Sequence, residues 1–219
     1  MALRSPKILI ITDFDGTITS VDLGSQFIFK FVTESLADIE KEFAKGKIGS
    51  RIAYEKIAQR LKGSREKMLE HVLEIERLDP YFLEFCSLCK EKNIDIKIVS
   101  DGFDFYIEAV LKKYNLQEIE YYSNRALFGE DESFFVEFPE INDFCGRCGT
   151  CKSNILHSYR LIYDKIIYIG DGYSDFCPSK YADLVFAKKL LYQRCEKEGT
   201  PCLPFDSFKE INEYILKNY

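Results

Sequence analysis

The hydrophobic pattern of the chain opens with an uninterrupted run, Ile8 to Ile11, inside the stretch KILIITDFDGTIT at residues 7–19. A short apolar run without alternation suits a strand covered on both faces, as in a parallel sheet. The run stops abruptly at Asp13 and Asp15, followed by Gly16 and Thr17. From about Val21 the pattern changes to helical periodicity, with Leu23, Phe27 and Phe31 towards one side. Segments Glu34 to Ala44, Ser50 to Leu61 and Arg65 to Glu76 are rich in Glu, Lys and Ala, with breaks near Gly46, Gly49 and Gly63, and are expected to be helices.

Beyond this block, strand and helix patterns alternate. Pro80 opens a helix through Asn93, a strand follows from Asp95 to Ser100, and a helix runs from Phe103 to Tyr114. Ile119 to Ser123 is expected as a strand, and Arg125 to Phe128 and Phe134 to Phe138 as a hairpin about the acidic turn GEDES. A Gly- and Cys-rich loop from Asn142 to Cys151 opens into the helix KSNILHSYRLIYDK. The strand Lys165 to Gly170, a helix from Ser174 to Ala182, the strand DLVFA, a short strand at Cys202 to Phe205 and a final helix complete the chain.

Successive strand-helix units imply right-handed crossovers in one mainly parallel sheet. The expected fold is therefore α/β, a Rossmann-like sheet with helices on both faces. Residues 1–19 and 79–219 form the catalytic core in this reading. Residues 20–78 form a small helical cap inserted after the first strand.

Composition narrows the function classes. At 219 residues with 46% hydrophobic and 30% charged residues, the chain can bury a full core. A formal net charge of -6 argues against a broad nucleic-acid or anionic-membrane footprint. The opening MALRSPK leads directly into the first strand, and Ile8 to Ile11 is too short for a signal segment or a membrane span, so a cytoplasmic protein is expected. In that setting the eight cysteines are expected as reduced thiols or metal ligands rather than disulfides.

Three expected strands end in polar groups: Asp13 with Asp15, Ser100 with Asp101, and Asp171 with Asp175 one turn later. In a parallel sheet those ends share one edge, where open α/β sheets bind ligands. Carboxylates gathered there repel one another unless a cation compensates, and a few hard oxygen ligands point to Mg²⁺, with Asp13 and Asp171 as the side chains on it. A serine hydroxyl and the N–H groups of Ser100 to Gly102 suit a phosphoryl group. Lys152, at the start of a helix beside a Gly-rich loop, supplies a positive charge for that phosphate. Taken singly, each of these is an ordinary turn, cap or surface lysine. Their order, and their common position after strands, makes the phosphate site the better reading.

DFDGT at Asp13 to Thr17, VSDG at Val99 to Gly102, Lys152, and GDGYSD at Gly170 to Asp175 resemble the four ordered motifs of the haloacid dehalogenase superfamily. The helical block after the first motif resembles that superfamily's cap at its first insertion point. The likeness implies a phosphatase with Asp13 as nucleophile, forming an aspartyl-phosphate, and Asp15 as general acid and then base. It implies that the backbone carbonyl of Asp15 joins Asp13 and Asp171 around Mg²⁺, that Thr17 and Ser100 bind the phosphoryl group, and that Asp175 supports Lys152 or a metal-bound water.

Cap position and spacing are similar to the phosphoserine phosphatase-like branch. CGRCGTCK and GDGYSDFCP resemble the methylthiopentenyl-phosphate phosphatases of methionine salvage and the phosphoethanolamine/phosphocholine phosphatases. Asp101 would then face a cationic substrate or a solvent turn. Asp22 stands where phosphoserine phosphatases read an amino group. Cys145, Cys148 and Cys151 have spacing suited to a thiophilic metal but are one ligand short of a closed zinc site, and a thiol-lined loop that positions Lys152 is the better reading.

The expected function is a Mg²⁺-dependent phosphomonoesterase acting on a small phosphorylated metabolite, with no nucleic-acid or membrane partner. The alternatives are a phosphotransferase or mutase with the same intermediate, and a non-enzymatic metal-binding protein built on the cysteine loop.

Overall fold

A computed structural model of the chain describes residues 6–219, so the reading of the first five residues lies outside the described residues. Contacts divide the described chain into two bodies: residues 6–20, Leu78–Val99 and Lys152–Tyr219 form one, and Val21–Arg77 with Ser100–Cys151 form the other.

The first body is built on parallel strands. β1 (Ile8–Thr12) pairs with the start of β2 (Ile94–Phe103) on one side and with β5 (Lys165–Gly170) on the other. β6 (Leu184–Ala187) pairs with β5, and β7 (Leu203–Pro204) with β6, all in parallel. All five residues of β1 are buried, in keeping with a run that has no polar face. Around these strands lie α5 (Phe82–Glu91), α7 (Lys152–Tyr159), the four-residue α8 (Phe176–Ser179), α9 (Lys189–Glu198) and α10 (Phe208–Asn218). Phe82 and Phe85 of α5 meet Phe208 of α10 with ring centroids 4.9 and 4.8 Å apart. This is a mainly parallel, Rossmann-like α/β fold.

Register fixes which residues emerge together. Thr12 pairs with Ile169, and Gly170 with Ala187. The next residues along these strands, Asp13, Asp171 and Lys188, therefore leave at one edge.

The second body holds α1 (Leu23–Phe31), α2 (Ala37–Ala44), α3 (Ser50–Ala58), α4 (Arg65–Ile75), α6 (Asp104–Lys113) and the antiparallel pair of β3 (Glu120–Phe128) and β4 (Phe134–Glu137). Val21–Arg77, which holds α1 to α4, lies in this body, and residues 100–151 group with it rather than with the first body. The reason is an aromatic core. Phe27 lies within 5.6 to 6.1 Å, ring centroid to centroid, of Phe103, Phe105, Tyr106 and Phe134.

Several local expectations are corrected. β3 is one continuous strand rather than two pieces, and β2 runs on to Phe103 instead of stopping at Ser100. The helix opening at Lys152 ends at Tyr159, and the stretch after Asp171 begins as a 3-10 turn, Tyr173–Asp175, before α8. All eight cysteines are thiols. Among the described residues no helix is long and apolar enough to cross a membrane.

Candidate active site

The edge of the first body gathers the acidic residues. β1 delivers Asp13, whose backbone N–H donates to Ile169 O at 2.9 Å, continuing the ladder one step beyond the strand. The chain then turns sharply, with the N–H groups of Thr17, Ile18 and Thr19 all directed at Phe14 O. Thr17 Oγ1 donates to Asp171 Oδ1 at 3.3 Å. Asp15, within this turn, is half-buried.

Asp13, Asp171 and Asp175 each offer a carboxylate oxygen, and these oxygens lie within 4.8 Å of one another. Lys152 enters this group from α7. Its Nζ is 2.8 Å from Asp13 Oδ1 and 2.7 Å from Asp175 Oδ1, with the lysine side chain 1% exposed. Burial alone would lower this amine. Asp13 and Asp175 outweigh it and hold Lys152 well above the ordinary lysine range, so it is an ammonium ion.

The three carboxylates are not equivalent. Asp175 Oδ1 accepts from Lys152 and from the Tyr168 hydroxyl at 2.6 Å, while Oδ2 accepts from the N–H groups of Asp171 and Gly172 at 3.0 and 2.9 Å. Burial pushes its carboxyl up, but Lys152, Tyr168 and Gly172 outweigh burial and hold it below the usual range. Four donors fill the places a carboxylate has to offer. Asp175 is thus a fixed anion that anchors Lys152 and the 171–172 backbone, with little left for a further ligand.

Asp13 differs in kind. Its Oδ1 accepts from Lys152 and from the Phe14 N–H at 2.7 Å, which fixes the carboxyl plane. Burial, then Asp175, push its carboxyl well above the usual range; Lys152 pulls it down and Asp171 adds to the rise. Burial likewise raises Asp171, against the opposing pull of Lys189. Positive charge at this edge falls short of the negative charge. The donors are hard oxygens, so Asp13 and Asp171 fit a small divalent cation such as Mg²⁺.

Two residues of this edge carry no motif signal. Tyr168 stands among the isoleucines of β5, fully buried with its hydroxyl on Asp175. Lys189 Nζ is 2.8 Å from Asp171 Oδ2 and donates to Gly16 O at 3.1 Å. The only sequence hint was the pair Lys188-Lys189 directly after a strand.

Other expected site residues belong to the second body. Ser100 is buried, and its hydroxyl accepts the Gly102 N–H at 2.9 Å, a local turn that orders the backbone after Val99. Asp101 Oδ1 accepts from Thr150 N–H at 3.0 Å and Asn124 Nδ2 at 3.3 Å, which ties it to the loop before Lys152. Asp22 is the N-cap of α1, its two oxygens accepting from the N–H and hydroxyl of Ser25 at 2.8 Å each. Cys145 is exposed, Cys148 half-buried and Cys151 buried. These three do not converge into a metal-holding group among the described residues.

A family model described as Putative Phosphatase matches residues 8–193. The chain belongs to this phosphatase family. Its relatives include a 2-hydroxy-3-keto-5-methylthiopentenyl-1-phosphate phosphatase of Brevibacillus brevis, 30% identical over 94% of each chain. Another of the same name, from Bacillus cereus, is 28% identical over 94% of each chain. Among solved structures, a phosphoserine phosphatase in the form of a phospho-aspartyl intermediate analogue superposes with a TM-score of 0.73 at 22% identity, covering 96% of this chain and 99% of that one. A substrate-bound phosphoserine phosphatase gives 0.73 at 21%, with the same coverage. The phosphatase thus has the fold of the phosphoserine phosphatase-like branch of the haloacid dehalogenase superfamily, and its acidic edge is the candidate active site.

Proposed function

We propose that this phosphatase is a Mg²⁺-dependent phosphomonoesterase working through an aspartyl-phosphate on Asp13. The observation that carries the reading is the buried Lys152 ammonium between Asp13 and Asp175. It orients a carboxylate at the end of a parallel strand and leaves a neighbouring carboxylate, Asp171, beside it. Asp13 and Asp171 would hold the cation, with the Asp15 carbonyl as the third protein ligand by family likeness. When bound, Mg²⁺ would supply positive charge for the phosphoryl oxygens and offset the repulsion between them and Asp13.

The chain's own groups account for the remaining steps. Lys152 and the Phe14 N–H hold the Asp13 carboxyl in place for attack on phosphorus. Asp15, half-buried and outside the Lys152 pair, gives its proton to the leaving oxygen. It then takes a proton from the water that cleaves the acyl phosphate. Thr17 and Ser100 are assigned to the phosphoryl oxygens by the family likeness. Asp22 and Asp101 are weaker as substrate readers than the motifs alone suggested, since both have carboxylate oxygens committed to local hydrogen bonds.

The substrate is a small phosphorylated metabolite. The relatives' 2-hydroxy-3-keto-5-methylthiopentenyl-1-phosphate is the first candidate to assay, beside phosphoserine, phosphoethanolamine and phosphocholine. The mechanism is tested with Asp13→Asn on a generic aryl phosphate in Mg²⁺. Phosphate release is expected to fall to background while the circular dichroism spectrum is unchanged; retention of full activity overturns the role of Asp13.

A further inference from the structure

Lys189 stands at the acidic edge in an unusual way. Its backbone is left-handed, with a φ of +47°, a conformation that residues with side chains rarely adopt. It is the first residue of α9, directly after β6 and Lys188. From there its Nζ reaches Asp171 Oδ2 at 2.8 Å and Gly16 O at 3.1 Å. Room for this contact exists because residue 16 has no side chain: a Cβ on Gly16 would lie 2.4 Å from Asp171 Oδ2 and 3.0 Å from Lys189 Nζ. Lys188 reaches the next carbonyl, Thr17 O, at 3.4 Å. The turn between β6 and α9 thus places two lysines against successive carbonyls of the turn that carries Asp13 and Asp15.

We propose that Lys189 is a tethered counter-ion for Asp171, a positioning residue whose ammonium stands in for part of the divalent cation's charge and competes with that cation for the carboxylate. The inference rests on the reading of Asp13 and Asp171 as cation ligands. Asp13, Asp171 and Asp175 bring three negative charges together, and the buried Lys152 answers Asp13 and Asp175 directly. Lys189 answers Asp171. Its side chain is 55% exposed while that of Asp171 is 12% exposed, so the ammonium sits on the solvent side of the carboxylate and can swing away without unfolding anything. A divalent cation arriving at Asp171 meets this positive charge and must displace it or share Oδ2 with it. Lys189 therefore keeps the acidic edge intact without metal and makes cation binding weaker and more readily reversible than the carboxylates alone would allow.

The experiment is a Mg²⁺ titration by calorimetry on wild type, Lys189→Asn and Lys189→Arg, paired with thermal unfolding of each protein in chelator and in saturating Mg²⁺. Asparagine tolerates the left-handed backbone and removes the charge, while arginine keeps it. Lys189→Asn is expected to bind Mg²⁺ about tenfold tighter, as removal of one nearby positive charge from a partly buried site implies. It should melt at a lower temperature than wild type in chelator, with the difference closing in saturating Mg²⁺, and Lys189→Arg should follow wild type in both measurements. Unchanged or weaker Mg²⁺ binding by Lys189→Asn, beside normal binding by wild type, overturns the proposal. Absence of Mg²⁺ binding in wild type and variants alike overturns the cation reading of the site itself. The chelator melts separate the two failures, because they read the Lys189–Asp171 pair with no cation present.

Discussion

Gly16 shows how narrowly the acidic edge is specified at the level of single residues. Its φ is +72°, and a Cβ there would meet Asp171 Oδ2 at 2.4 Å. A left-handed L-residue costs about 1–2 kcal/mol before any clash is counted. Gly16→Ala is therefore expected to lower stability by more than about 1 kcal/mol. It should also reduce phosphate release in Mg²⁺, because Asp171 must move; urea unfolding and a steady-state assay check the two effects. The sequence pointed to Gly16 as part of the DFDGT motif, and nothing in that motif says what lies opposite. Asp175 makes the same point from the other direction. Its place one turn after Asp171 was visible in GDGYSD, but its four donors come from α7, from β5 and from its own turn. The family likeness already set it apart as a support for Lys152, and only the folded chain shows that its oxygens are filled by four donors.

At the scale of elements, the strands were the most legible part. Runs such as ILIIT and KIIYIG have no polar face, and the first body buries them between parallel neighbours. Helix ends were less legible, as α7 illustrates: it stops at Tyr159, and the segment beyond it is held by contacts with distant residues rather than by continuing the helix. Arg160 Nη1 pairs there with Asp183 Oδ2 at 2.6 Å, and the same oxygen accepts the Ile166 N–H at 2.7 Å, joining the approaches to β5 and β6. Burial pushes the Asp183 carboxyl up, but Arg160 and the Ile166 amide outweigh it and hold it below the usual range. In the intervening pH window the unfolded chain binds the proton and the folded chain does not, so stability rises with pH there. The contribution is complete above the ordinary aspartate pKa and is lost as pH falls through the depressed folded value. Asp183→Asn should therefore cost stability at pH 7, on the order of 1 kcal/mol or less because the pair is partly exposed. The gap from wild type should narrow as pH falls below the ordinary aspartate value and close only below the depressed folded one; urea unfolding at pH 7 and along an acid series provides the comparison.

At the scale of the whole molecule, the second body is made of two stretches separated in sequence, Val21–Arg77 and Ser100–Cys151. Phe27, fully buried, joins them by touching Phe103, Phe105, Tyr106 and Phe134. Phe27→Ala is expected to cost about 3–5 kcal/mol. The loss of amide protection should concentrate in α1, α6, β3 and β4 and spare β1 and β5, which hydrogen exchange followed by mass spectrometry would show. The sequence by itself determined the α/β class and the places of Asp13 and Asp171 directly after parallel strands and of Lys152 at a helix start. These follow from local periodicity and from the rule that parallel strands finish at one edge. Tertiary structure alone decided that 100–151 group with Val21–Arg77, that Tyr168 and Lys189 reach the acidic edge, and that Asp175 accepts four donors while burial raises the carboxyls of Asp13 and Asp171. Each of these depends on which distant residues meet, on how deeply a charge is buried and on how many donors surround it, and hydrophobic periodicity carries none of that information.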